Sequence, residues 1–308
     1  MSVPARPCAE PRAGRRTLAP VPRRPVVPVA AGTLCVVGGA EDRVGDRVVL
    51  REFVRLAGGD GARIAVVATA STLGPEILES YDEVFRSLGA APTAPLRPQT
   101  RDEADDPELA AALDDVGGVF MTGGNQLILA AVIAGTRFGD AMRAAYSRGA
   151  VVGGTSAGAS AVSEHMVAFG DEGATPRQGT AGLAAGLGLL PGVIIDQHFD
   201  QRARYGRLLS LVARSPSLLG VGVDEDTAAV IRGERLLEVH GTGCVFVADG
   251  SAIVTDAPLA ELGAPLLVSG AIVHTLPAGS RFDLLERRLV AFEEHNPARA
   301  SHEPEENE

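Results

Sequence analysis

Three short apolar runs in this chain, ending near Val37, Met121 and Val152, each stop at a pair of glycines. Unbroken apolar runs of this length read as strands buried on both faces, the kind found in parallel sheets. Helical patterns separate them: Arg47–Ala57 with Val48, Phe53, Val54 and Leu56 facing the core, Pro75–Leu88, Asp106–Leu113 opened by Pro107, Gln126–Ile133, and Thr136–Arg148. Ile64–Thr69 is a further strand of the buried type. Strands alternating with helices at this spacing predict an α/β fold, a mostly parallel sheet with helices on both faces. After Gly220 come short segments, Val221–Glu225, Ala228–Ile231, Leu236–Val239 and Cys244–Ala248, which predict a β-rich C-terminal part completing the sheet. Open α/β sheets place their sites at the carboxyl ends of the strands, where all three glycine pairs fall.

Residues 1–31, rich in Pro, Arg and Ala, predict a disordered leader. Residues 32–292 are expected to form a single catalytic α/β domain, and 293–308 an acidic, disordered tail. All 28 basic residues are arginine, so a Schiff-base lysine, a cofactor aldimine and a lysine-bearing P-loop are excluded. A net charge of −11 argues against nucleic acid as a partner. No apolar run is long enough to span a membrane. Cys8, Cys35 and Cys244 are too scattered for a disulfide framework or a zinc cluster, which fits a reducing, cytoplasmic compartment. Export through the unusual leader is the alternative. No His/Asp/Glu grouping has metal-ligand spacing, so neither a metal nor a cofactor is expected.

The run Val151-Val152-Gly153-Gly154-Thr155-Ser156-Ala157-Gly158-Ala159 has the Gly-x-Ser-x-Gly form of a nucleophile elbow, a strand-to-helix corner that exposes a serine hydroxyl. A small-residue turn between packed elements is the plainer reading of the same letters. Serine needs a base, and His198 ends the apolar run Val193–Gln197 amid the polar neighbours Asp196, Gln197, Asp200 and Arg202. His165 falls on the elbow helix or the loop after it, and His240 and His274 fall inside short β segments. An acid should orient the imidazole; Asp224, Glu225 and Asp226 follow one strand, and Asp171 and Glu172 are further candidates. Strand alternation sends Asp224 and Asp226 to one side and Glu225 to the other, and spacing does not choose among them. The amide of Ala157 is one oxyanion donor by elbow geometry, and Gly124, in the turn Gly123-Gly124-Asn125, is the second candidate.

With those residues assembled, the chain resembles the cyanophycinase family of serine peptidases, relatives of aspartyl dipeptidase. The resemblance rests on Thr122–Gln126, Gly154–Ala159, Asp196–Phe199 with Arg202, Arg204 and Arg207, and Gly222–Ala228, and it runs from about Gly32 to Val290. It implies a flavodoxin-like sheet related to class I glutamine amidotransferases and a homodimer. It implies Ser156 as nucleophile, His198 as base and Glu225 as acid. Gln126, Asp196, Gln197, Arg202, Arg204 and Arg207 would line the substrate pocket. The implied substrate is cyanophycin, polyaspartate carrying arginine on each β-carboxyl, and the implied product is β-Asp-Arg. Aspartyl dipeptidases share the elbow with a sparser arginine cluster, so the polymer-degrading branch is expected, an aspartate-containing small peptide being the alternative substrate.

Overall fold

Five strands form the parallel half of the central sheet in the computed structural model, which describes residues 32–292. They are β1 (Thr33–Val37), β2 (Ile64–Val67), β3 (Ala94–Leu96), β4 (Gly118–Met121) and β5 (Val151–Thr155), in spatial order β1-β5-β4-β2-β3. Alternate side chains leave each strand on opposite faces. Cys35, Val37, Val66 and Phe120 pack with α1 (Val48–Leu56) and α2 (Glu76–Ser87). Leu34, Val36, Val67 and Met121 pack on the other face, beneath α3 (Arg101–Ala104), α5 (Gln126–Ile133) and α6 (Arg137–Ser147). Between α3 and α5 lies α4 (Pro107–Ala111), its first turn closed by the Asp106 carboxylate, which accepts from the Glu108 amide at 2.9 Å. The leader and the acidic tail expected at 1–31 and 293–308 lie outside the described residues.

Some details of this half differ from the sequence reading. The core-facing stripe of α1 is Val49, Leu50, Phe53 and Val54, whereas Val48 is exposed; this is the i, i+3, i+4 set of a helix that starts at Val48. The short strand β3 was not expected, because Pro95 lies inside it; it occupies the sheet edge, where a missing N–H is tolerated.

Beyond β5 the short helix α7 (Ala157–Ala161) leads into a hairpin, β6 (His165–Gly170) and β7 (Ala181–Ala185). His165 therefore opens an exposed strand rather than sitting on the elbow helix, which is only five residues long. Next come β8 (Val193–Gln197), α8 (Tyr205–Arg214), β9 (Leu219–Val223), β10 (Thr227–Arg232), β11 (Leu236–Gly241) and β12 (Cys244–Asp249). These strands divide between two sheets. β10 pairs antiparallel with β1 and carries β11 and the strands Ser280–Asp283 and Arg288–Phe292, so the central sheet has nine strands. β8, β9, β12 and Ile272–Pro277 make a separate four-stranded sheet. The turn from β9 to β10 crosses from one sheet to the other, and its three residues are Asp224, Glu225 and Asp226.

Candidate active site

Strand β5 runs between β1 and β4, and at Gly153 and Gly154 the neighbouring backbone leaves no room for a side chain. A methyl on Gly153 would stand 1.9 Å from the Cys35 carbonyl oxygen, and on Gly154 or Gly158 2.1 or 2.4 Å from that of Met121. This packing turns the chain sharply at Ser156, whose φ of 52° and ψ of −107° are sparsely populated for a residue with a Cβ. The Ser156 amide donates to the Val37 carbonyl at 3.0 Å, anchoring the corner to the end of β1. The hydroxyl is left part-exposed at the start of α7.

His198 arrives from the other sheet. It follows β8 in a left-handed conformation (φ 47°), and its amide donates to the Gly38 carbonyl at 2.7 Å. The next side chain, Phe199, is fully buried and packs against Tyr205 and Phe246 with ring centroids 4.7 and 5.0 Å away. That anchor fixes the imidazole, whose Nε2 lies 3.0 Å from Ser156 Oγ and whose Nδ1 lies 2.6 Å from Glu225 Oε1. A carboxylate accepts, so Nδ1 carries the proton and Nε2 presents its lone pair to the serine hydroxyl. Burial holds the imidazole below its ordinary value of 6.5; the Glu225 hydrogen bond opposes this, and the charges of Arg202 and Arg204 add to it. The ring is therefore neutral at neutral pH, the state a proton acceptor requires.

The three acidic residues of the crossing turn go to three different partners. Only Glu225 reaches the imidazole. Asp224 accepts from the amides of Asp200 (3.1 Å) and Cys244 (2.9 Å), and Asp226 from the amide of Asp42 (2.9 Å) and the Thr242 hydroxyl (3.1 Å). Strand alternation does not govern them, because the segment is a turn and Asp226 is left-handed (φ 46°). Asp171 and Glu172 lie apart, lining a cavity of about 250 Å³ with Arg207.

Beneath the serine, Gln197 Oε1 is 3.5 Å from Oγ and accepts from Arg204 at 2.9 Å. Asp196 is completely buried; it accepts from Arg207 Nε at 2.7 Å and from Arg207 Nη2, with Arg204 at 3.6 Å. Two buried guanidinium groups thus share one carboxylate. Burial and the neighbouring Arg207 push Arg204 down to about 10, and its Nε is buried without a partner among the described residues. Arg202 precedes α8 and is exposed, whereas Arg204 and Arg207 are buried. The Gln126 amide donates to the Val167 carbonyl at 2.8 Å. Gly123 neighbours Ser156, where an added methyl would make ordinary van der Waals contact with its Cβ at 3.5 Å, and Gly124 follows it in the same turn. Ala157, the first residue of α7, has an amide with no carbonyl four residues back inside the helix.

The loop after β1 was visible in the sequence as a rim glycine pair, yet its contacts were not. Glu41 is buried and accepts from the Thr155 and Tyr81 hydroxyls, both at 2.5 Å, and Arg43 stacks on the Tyr81 ring at 4.7 Å. Tyr81 comes from α2, 40 residues away along the chain, a separation with no periodic signature. Among the described residues no group of three or more His, Cys, Asp and Glu side chains could hold a metal ion, and no helix is long and apolar enough to cross a membrane.

Known proteins resemble this chain in sequence and in fold. The cyanophycinase of Trichormus variabilis is 39% identical over 257 residues, covering 83% of this chain and 86% of that protein. The cyanophycinase of Geminocystis herdmanii is 37% identical over 253 residues, covering 82% and 93%. The crystal structure of a peptidase from an acI-B1 actinobacterium, 21% identical, superposes with a TM-score of 0.60 over 82% of this chain and 97% of its own, a likeness of fold. Residues 34–239 match peptidase family S51, a span that takes in the serine corner, the histidine and the crossing turn. On that match and these relatives, the chain belongs to peptidase family S51.

Proposed function

We propose that this protein is a serine-type exopeptidase that hydrolyses cyanophycin to β-Asp-Arg dipeptides. The observation that carries this reading is the unbroken contact from Ser156 Oγ through His198 to Glu225, at 3.0 and 2.6 Å. Ser156 Oγ attacks the substrate carbonyl while His198 Nε2 takes its proton, and Glu225 stabilises the resulting imidazolium. The amides of Gly124 and Ala157 receive the negative charge on the carbonyl oxygen. Collapse breaks the amide bond, and the departing amine leaves with the proton held by His198. A water molecule then gives its proton to His198 and attacks the acyl carbonyl, which restores Ser156 and frees the product acid.

The buried positive charge of Arg204 and Arg207 and the exposed Arg202 suit a substrate dense in carboxylates, which guanidinium groups bind through paired hydrogen bonds. Asp196 holds Arg207 and the Gln197 side-chain oxygen accepts from Arg204, while Gln126 is held by the Val167 carbonyl. The cyanophycinase relatives support the choice of substrate. We further propose that residues 32–292 act as one catalytic unit, that the protein works as a homodimer in the cytoplasm, and that it needs no nucleic acid or membrane. Light scattering on the purified protein and cell fractionation test the last assignments.

The decisive experiment incubates insoluble cyanophycin with the wild type, Ser156→Ala and His198→Ala, and identifies the products. The wild type should release β-Asp-Arg and both variants should release none. Absence of the dipeptide from the wild-type digest overturns the reading.

A further inference from the structure

A cavity of about 150 Å³ opens directly beside Ser156, on ground that the proposed catalytic and substrate-binding residues do not otherwise occupy. Its walls include Glu41, Arg43, Ser71, Tyr81, Thr155 and Ser156 itself. The Glu41 side chain is only 1% exposed, and its two oxygens take short hydrogen bonds from Tyr81 and Thr155. Arg43 is different. Its side chain is 36% exposed, and its Nε stands 3.5 Å from Glu41, outside good hydrogen-bonding distance. Its terminal amino groups have no partner among the described residues.

The guanidinium is nonetheless held in place. It lies on the face of the Tyr81 ring, and Tyr81 is fixed by the aromatic cluster of α1, α2 and β4, with Phe120 5.1 Å away. Burial and the Glu41 charge raise the Tyr81 hydroxyl well above its ordinary value, so it remains a donor that pins Glu41. A planar fork with free donors, oriented by stacking and turned toward a cavity next to the nucleophile, matches the geometry of a carboxylate. We propose that this cavity is a carboxylate-binding subsite beside the scissile bond, in which Arg43 grips a free carboxylate of the peptide substrate. It rests on the reading of Ser156 as nucleophile, and it adds a specificity element lined by residues other than Arg204 and Arg207. Glu41 and Tyr81 act here as positioning residues that set the plane of Arg43.

The test measures binding and not turnover, so it stands apart from the polymer digest. Titration calorimetry compares β-aspartyl-arginine with its diamide, in which both carboxylates are neutral. Each is titrated into Ser156→Ala and into Ser156→Ala/Arg43→Gln. The dipeptide should bind the double variant roughly 10- to 100-fold more weakly, the range for losing a hydrogen-bonded charge partner. The diamide should bind both proteins equally. Arg43→Met, whose stem still covers the Tyr81 ring, guards against misfolding and should repeat the result with an unchanged melting transition. An unchanged dipeptide Kd, or the same loss for dipeptide and diamide, overturns the subsite. Should the wild type fail to digest cyanophycin while the charge-dependent loss persists, the polymer assignment falls and the subsite stands.

Discussion

Gly39 lies against the imidazole of His198 with no room for a methyl group: a Cβ there would stand 2.2 Å from Cε1 and 2.5 Å from Nε2. The same loop accepts the His198 amide at Gly38 and the Asp226 amide at Gly39. The first glycine pair therefore sets where the base stands relative to the serine.

Gly39→Ala should lower kcat by about 100-fold or more, because a displacement of about 1 Å at a reacting group carries that order of loss. Its φ of 109° adds a strain of about 1–3 kcal/mol. Steady-state kinetics alongside thermal melting checks both; an active Gly39→Ala contradicts the assigned role of His198.

Glu225→Gln should reduce kcat by roughly 10³- to 10⁴-fold, the order seen when a triad carboxylate becomes an amide. The hydrogen bond and charge of Glu225 raise the His198 pKa, against the larger lowering by burial. Wild-type kcat/KM should thus rise with pH through a midpoint below 6.5, the deprotonation of His198. In Glu225→Gln that midpoint should move lower still. A pH profile with an unmoved acidic limb would count against Glu225 as the imidazole's partner.

Asp196→Ala should destabilise the fold by about 3–5 kcal/mol, since it leaves Arg204 and Arg207 buried without their shared carboxylate. Loss of Asp196 also removes the charge that raises the Arg204 pKa, so that arginine should fall below its value of about 10. Urea denaturation measures the first effect.

Ser156→Gly should abolish turnover yet stabilise the protein by about 1 kcal/mol, because glycine relieves the strained corner at φ 52°. Ser156→Ala removes the hydroxyl but keeps the strain, so its melting temperature should stay near that of the wild type. Calorimetric scans of the two variants separate chemistry from strain.

The serine corner was legible because its glycines stand within three residues of Ser156 and so appear in consecutive letters, although the carbonyls that impose them, those of Cys35 and Met121, lie on neighbouring strands. His198 was legible as the end of an apolar run. The choice among Asp224, Glu225 and Asp226 was not, since a left-handed turn cancels the alternation on which a strand reading depends. Nor was the division of the C-terminal strands between two sheets, because β9 and β12 look like hairpin strands in either. The Glu41–Thr155 bond joins residues 114 positions apart, and no spacing rule reaches that far. Strand β3 was hidden by Pro95, a residue that only an edge position accommodates.

The crossing turn from β9 to β10 has a consequence for when the protein becomes reactive. Ser156 belongs to the central sheet, His198 to the end of a strand of the smaller one, and Glu225 to the segment that leaves that sheet to pair β10 against β1. A nascent or partly opened chain can hold the serine and even the histidine, but the relay closes only once the two sheets have been sewn together. Hydrolytic competence thereby requires both sheets to be in place, and a half-made peptidase is a harmless one.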